Sequence, residues 1–465
     1  METKLKTIAE LRASGYKPLP VREEMRRNLI SKIKAGENMF PGIVGYDSTV
    51  IPQIENAIIS GQDIIFLGER GQAKSRIMRQ LVSLLDEKIP VIKGCEINDN
   101  PFAPVCRQCR DRLAREGEAT EISWLSREER YGEKLATPDI TIADLIGDVD
   151  PIKVAEGRYL SDELTIHYGL IPRSNRGIFA INELPDLAER IQVGLFNLME
   201  ERDLQIRGYR VRLPLDVYVV ASANPEDYTS RGRVITPLKD RYGAQIRTHY
   251  PMTIEDEITI MEMERRQFTA DGLETYVPPY IKEIIAELTH AARHSPDINQ
   301  GSGVSVRMSI ANYETVLGNA LRRAIRLREN LAVPRVSDLA YVHASTSGKI
   351  ELEGFEEVKN ERVIDELIGK AVKSVFGRYF RLERLAMILA AFEQGLSVET
   401  SDMLPARDYL GIVHDIDGMV EAVGAVDKSE KPERVAAAVE FILEGLCVNE
   451  KLRKTEVGGK AVYRH

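Results

Sequence analysis

The sequence predicts an α/β fold, a parallel sheet flanked by helices, followed by two mostly helical regions. Three observations predict it. Between Val44 and about Tyr250 short apolar runs alternate with helical patterns, the signature of β-α-β units around a parallel sheet. Within that stretch the strand-like Ile64-Ile65-Phe66-Leu67 runs directly into Gly68-Glu-Arg-Gly-Gln-Ala-Lys74-Ser75 and then into a helical pattern. From Thr253 to about Leu331, and again over 335–390, the apolar spacing is that of helices.

Taken in order, residues 1–36 read as one or two amphipathic helices around Gly15 and Pro18-Leu-Pro20, and Phe40-Pro41-Gly42-Ile43-Val44-Gly45 opens the next unit. Strands are expected at Ile64–Leu67, Val91–Lys93, Gly177–Ile181 and Val217–Ala221, and helices at Ser75–Leu85 and Leu187–Glu200. The charged stretch from Asn98 to Asp139 reads as an irregular insertion. The expected division is an N-terminal helical segment (1–36), an α/β core (37–252, with the insertion at 98–139), a helical region (253–345) and a C-terminal helical region (346–465). That last region ends in a helix and a hairpin, Lys451–Glu456 with Ala461–Arg464 around Gly458-Gly459, as a winged-helix-like tail would.

Composition bounds the function. The formal net charge of −9 weighs against a general nucleic-acid binder. No apolar run approaches the roughly 18 residues of a membrane span, and Met-Glu-Thr-Lys-Leu-Lys-Thr-Ile at the start has no signal-peptide core. Four cysteines in so long a chain point to a reducing, cytoplasmic setting.

The Gly68–Ser75 turn has the make-up of a phosphate cradle. Backbone N–H groups and a helix start face the anion, Lys74 reaches outer phosphates, and the Ser75 hydroxyl takes a position on Mg²⁺. The glycine expected before the lysine is Ala73, tolerable at negative φ and penalised at positive φ. Downstream, the apolar strand Gly177-Ile-Phe-Ala-Ile181 ends in Asn182-Glu183. An acidic pair is expected there in P-loop ATPases, the first residue for Mg²⁺ and the second to polarise water. The amide at Asn182 carries no charge, which predicts weaker metal binding. Asn224, after the strand Val217–Ala223, is placed to position water near a γ-phosphate. Arg241, in Leu238-Lys-Asp-Arg-Tyr-Gly243, reads either as a surface ion-pair partner of Asp240 or as a finger reaching a neighbour's phosphate. Arg307, in Gly303-Val-Ser-Val-Arg307, is a candidate phosphate sensor.

In this order these motifs resemble an AAA+ ATPase of the magnesium chelatase I subunit and MoxR-like branch, over residues 38–345. The tract Gly157–Asp162, with Tyr168-Gly-Leu-Ile171 after it, is similar to a segment of the same branch. The resemblance implies an AAA+ αβα core with an α-helical lid. It implies Walker A at Gly71, Gln72, Ala73, Lys74 and Ser75, with Gly68 at the start of the loop. Asn182 and Glu183 become Walker B, Asn224 sensor 1, Arg241 the arginine finger and Arg307 sensor 2, with Ile43 and Val44 on the adenine side. ATP and Mg²⁺ are the implied cofactors. The implied assembly is a homo-oligomeric ring, commonly a hexamer, working on a protein partner that often carries a von Willebrand A-type domain. A nucleotide-gated scaffold with little hydrolysis is the alternative, motivated by Asn182 and Ala73. A DNA-acting regulator is a second one, weakened by the acidic balance and by the lack of a Gly-Ala-Phe-Thr-Gly-Ala loop.

Cys106-Arg-Gln-Cys109, with Cys95 upstream, has soft-metal spacing and could hold Zn²⁺ with a histidine or carboxylate as fourth ligand. One Cys-x-x-Cys pair without a second is a weak metal signal, and a redox pair or, more commonly, structural or idle thiols are the alternatives. The seven histidines are scattered and read as ordinary surface or core residues, and Ser230-Arg-Gly-Arg233 as a solvated basic loop.

Overall fold

The computed structural model describes residues 5–150, 152, 163–201, 203–205, 212–224, 233–267, 272–352, 357–457 and 460–465. The tract Gly157–Asp162, residues 230–232 and Gly458-Gly459 lie outside them. The chain falls into two units, Met1–His249 and Tyr250–His465.

In the first unit, strand β1 (Ile64–Leu67) precedes the glycine-rich turn and helix α1 (Lys74–Gln80) follows it. The helix expected to reach Leu85 tightens into a 3₁₀ turn at Leu81–Leu84. Strand β2 (Lys88–Ile92) overlaps the strand expected at Val91–Lys93 but begins three residues earlier, and it does not enter the main sheet. It pairs antiparallel with β3 (Ile122–Ser126). The stretch 98–139 is not irregular throughout. It holds helix α2 (Arg107–Glu116), β3 and then β4 (Tyr131–Leu135), which forms an edge of the main sheet. The near-absence of apolar alternation hid β4: Tyr-Gly-Glu-Lys-Leu is an edge strand, half-buried on both faces. Strands β5 (Gly177–Asn182), β6 (Val217–Ala223) and β7 (Ala244–Arg247) complete a five-stranded sheet of order β7-β1-β6-β5-β4, with every pairing parallel.

Parallel strands covered on both faces read as continuous apolar runs, and β5 and β6 are buried at every position. Alternation sorts their side chains into two cores. Phe179, Ile181, Val219 and Ala221 join Leu195 and Leu198 of helix α3 (Glu189–Glu201) on one face. Ile178, Ala180, Tyr218 and Val220 join Ile77 of α1 and Ile54 on the other. The register aligns Leu67 with Ala223 and Arg247, Ala221 with Ile181, and Leu135 with Asn182. The carboxyl ends of the strands therefore share one rim, where open parallel sheets bind ligands.

The N-terminal helix Val21–Ala35 belongs to this unit. Its Val21, Met25 and Leu29 pack with Phe66 and Ile77, and its buried Glu24 takes a bidentate contact from Arg130, at 2.7 and 2.6 Å.

The second unit is mostly helical. Helices Ile254–Glu264, Pro279–Arg293, Arg307–Leu327, Glu357–Tyr379 and Pro432–Val448 carry most of a single core. The C-terminal hairpin forms at Arg453–Val457 and Lys460–Arg464. Val398–Thr400 adds a third antiparallel strand beside Lys460–Arg464, a partner far away in sequence.

Candidate nucleotide site

The motif residues of three strands meet at the rim. Lys74 is 6% exposed, and its Nζ donates to the Gly68 carbonyl, to the Glu69 carbonyl at 2.8 Å and to Asn224 Oδ1 at 2.6 Å. Lys74 opens α1 after β1, whereas Asn224 follows the end of β6, one strand away. Their hydrogen bond brings the two motifs together. Ser75 Oγ donates to Asn182 Oδ1 at 2.7 Å, which brings in the end of β5. Asn182 Nδ2 donates in turn to Glu133 Oε1 at 2.5 Å, and Glu133 is held by Arg79 Nε and an Arg79 terminal nitrogen at 2.8 and 2.9 Å.

Glu133 was missed from sequence. It sits on β4, inside the stretch expected to be irregular, and only the pairing of β4 with β5 brings it beside Asn182. Asn182 has no charge, yet a carboxylate stands directly behind its amide.

Ala73 adopts φ +58°, so the loop keeps the left-handed turn that a glycine makes without strain and alanine bears the penalty. Gly71 is left-handed too, at φ +78°. Glu183 is a second strained residue, at φ +54°, with its N–H donating to Ser222 Oγ at 3.2 Å. Non-glycine residues held in this region gather at functional sites, and here two of them flank the rim.

Gln72 Oε1 accepts from the Glu69 N–H at 3.0 Å and from Thr248 Oγ1 at 2.7 Å, and so staples the loop to the end of β7. Gly68 is required by space: a Cβ there would lie 2.0 Å from Thr248 Oγ1 and 2.2 Å from Gln72 Oε1. Tyr46, just past the half-buried Ile43 and Val44, donates its hydroxyl to the Gln72 carbonyl at 3.0 Å and the His249 carbonyl at 2.7 Å. Burial pushes its phenol up to about 12. Tyr46 and Thr248 carry no motif and were not expected. Gly68, Glu69, Gln72, Lys239, Arg247 and Thr248 line a cleft of ≈ 360 Å³ beside the loop. A larger cavity of ≈ 650 Å³, lined by Tyr16, Glu24, Arg27, Asp86 and Arg176 among others, lies away from these motifs.

Arg241 ends a short helix over Thr236–Arg241. Its guanidinium lies 5.0 Å from the Phe196 ring centroid and 4.0 Å from Asp240, about one third exposed. Arg307 begins helix Arg307–Leu327 in the second unit, exposed, with its N–H donating to Ser305 Oγ at 3.2 Å.

The three cysteines expected as soft ligands also come together. Cys95, Cys106 and Cys109 converge with Asp99, their ligand atoms all within 4.8 Å of one another.

The fold and rim define a P-loop protein of the AAA+ class, and relatives give the nearer kinship. The chain is 26% identical over 230 residues to the magnesium-chelatase subunit ChlI homolog of Methanocaldococcus jannaschii, covering 48% of this chain and 58% of that protein. It is 24% identical over 280 residues to chloroplastic ChlI-2 of Arabidopsis thaliana (58% and 63%) and over 365 residues to ChlI of Nostoc sp. PCC 7120 (74% and 91%). The match thus spans between half and two thirds of the first two of these relatives. Among solved structures it is similar to a magnesium chelatase BchI–BchD complex (19% identity, TM-score 0.36, 71% of this chain and 98% of that one). It is also similar to ATP-bound NtrX of Brucella abortus (13%, TM-score 0.41, 75% and 66%). No family model matches the chain. In sequence the chain is similar to the I subunit of magnesium chelatase. Among the described residues no helix is long and apolar enough to cross a membrane.

Proposed function

We propose that the chain binds ATP with Mg²⁺ at Gly68–Ser75 and hydrolyses it as one member of a homo-oligomeric ring, six copies by the resemblance, that rearranges a protein partner. One observation carries the reading: two hydrogen-bonded pairs, Lys74 with Asn224 and Ser75 with Asn182, join the start of α1 to the ends of β5 and β6 at the carboxyl rim of a parallel sheet. A bound triphosphate would draw the Lys74 ammonium from the Gly68 and Glu69 carbonyls toward its outer oxygens, exchanging neutral acceptors for charged ones. Asn224, already on Lys74, would hold the water or the γ-phosphate. Glu183, at the end of β5, would orient the attacking water.

The donors near Ser75 are hard oxygens, and Mg²⁺ takes such ligands while keeping much of its water. Ser75 Oγ and Asn182 Oδ1 would hold it, with the Glu133 carboxylate supplying the charge Asn182 lacks. The metal would neutralise phosphate charge. By the resemblance, Arg241 would act on the neighbouring subunit's nucleotide and Arg307 would serve as a phosphate sensor. The partner, by the same resemblance, would carry a von Willebrand A-type domain.

Calorimetric titration of ATP into wild type and Lys74→Ala tests the reading. Affinity should fall at least about tenfold, since a charge-assisted phosphate contact is lost. Equal affinity would overturn it. A scaffold with little turnover remains the second reading, favoured by the amide at Asn182 and the strained Ala73.

A further inference from the structure

We propose that Cys95, Asp99, Cys106 and Cys109 form a tetrahedral structural zinc site that fastens the segment 95–109 to the lead-in of strand β5. The proposal is independent of the nucleotide reading. Three sulfurs and a carboxylate oxygen lie mutually within 4.8 Å. A tetrahedral zinc with Zn–S of about 2.3 Å sets its sulfurs about 3.8 Å apart, so a small contraction closes the site. Four ligands leave no open position, the arrangement of structural rather than catalytic zinc.

Burial points the same way. Asp99 is 0% exposed, Cys106 4% and Cys109 2%. Among the described residues no cationic side chain forms an ion pair with Asp99. A buried carboxylate without a counter-charge is costly, and coordination to a metal is one of the two usual remedies. Asp99 is already aimed, since its two oxygens accept the N–H groups of Val105 at 3.1 Å and Cys106 at 3.0 Å. Hydrogen bonds to a ligating carboxylate fix its orientation. The Asp99 N–H in turn points at Cys95 Sγ, at 3.4 Å, and the Cys109 N–H at Cys106 Sγ, at 3.4 Å. N–H···S contacts of this kind suit thiolates.

The loop is tied to the lead-ins of β5 and β6. Asn98 Nδ2 donates to the Arg173 carbonyl at 2.7 Å, and Asn175 Nδ2 to the Ile97 carbonyl at 3.0 Å. Asn175 Oδ1 accepts the Asp216 N–H, just before β6, at 2.9 Å. A metal here would set where β5 and β6 begin.

The test is metal analysis of the full chain purified under reducing conditions. About one zinc per chain is expected. The double variant Cys106→Ser, Cys109→Ser should lose it, while Cys447→Ser should keep it. Cobalt exchange of the wild type guards against misfolded variants: thiolate-to-cobalt charge-transfer bands with tetrahedral d–d bands are expected. Asp99→Asn should shift the d–d bands and retain the charge transfer. Metal-free protein that takes up neither zinc nor cobalt, zinc unaffected by the double variant, or a Cys106–Cys109 disulfide in place of metal would each overturn the proposal.

Discussion

At the scale of single residues, Ala73 shows how local strain can be carried by a functional loop. An L-residue at φ +58° costs roughly 1–2 kcal/mol, and glycine returns part of that by its freedom in the unfolded chain. Ala73→Gly is therefore expected to raise stability by up to about 1 kcal/mol, read as a shift in the urea midpoint with unchanged m-value. A destabilised Ala73→Gly would mean that the left-handed turn is not the native one. Gly68→Ala should act in the opposite direction. Its Cβ would overlap Thr248 Oγ1 and Gln72 Oε1, and overpacking of this kind costs about 1–3 kcal/mol. Lys74, Ser75, Asn182, Glu183 and Asn224 were legible in the sequence because each is fixed by a short spacing from an apolar strand. Glu133, Tyr46 and Thr248 were not, because each joins the rim only through a partner more than twenty residues away. Asp99 was hidden differently: inside Asn-Asp-Asn it reads as part of a turn. Its place beside the cysteines depends on how the loop closes.

At the scale of elements, the sheet edge and the N-terminal helix are joined by one buried pair. Arg130, 1% exposed, meets both Glu24 oxygens and donates its Nε to the Arg176 carbonyl at 2.8 Å, while Glu24 also accepts the Asp86 N–H at 2.6 Å. Removing one member leaves an uncompensated buried charge, so Arg130→Ala is expected to cost about 3–5 kcal/mol in denaturant unfolding. A loss under 1 kcal/mol would show that the pair is not closed in solution. The apolar strands β1, β5 and β6 announced themselves by composition. Strand β4 did not, since an edge strand can carry Glu and Lys where a central one cannot. Its charged character is what lets it deliver Glu133 to the site. Glu133→Gln should therefore weaken Mg²⁺ binding, raising the Mg²⁺ concentration for half-maximal activity severalfold while ATP binding without metal is unchanged. An unaltered Mg²⁺ requirement would remove Glu133 from the site.

At the scale of the whole molecule, the proposal is an assembly in which each chain completes its neighbour's site. Arg241, resting over Phe196 and about one third exposed, is the residue that would cross the interface. Arg241→Ala should lower turnover by about 10³-fold or more while leaving ATP binding intact, and mixtures with Lys74→Ala protein should recover activity, because each variant then supplies what the other lacks. Mixtures that stay inactive would argue for sites contained within one chain. The most direct test of the central claim is phosphate release by wild type and Glu183→Gln, with ATP affinity measured on the same samples. Expected is unchanged affinity with release lowered about 10²- to 10⁴-fold, the span of a lost general base. An unchanged rate in Glu183→Gln would contradict hydrolysis at this rim.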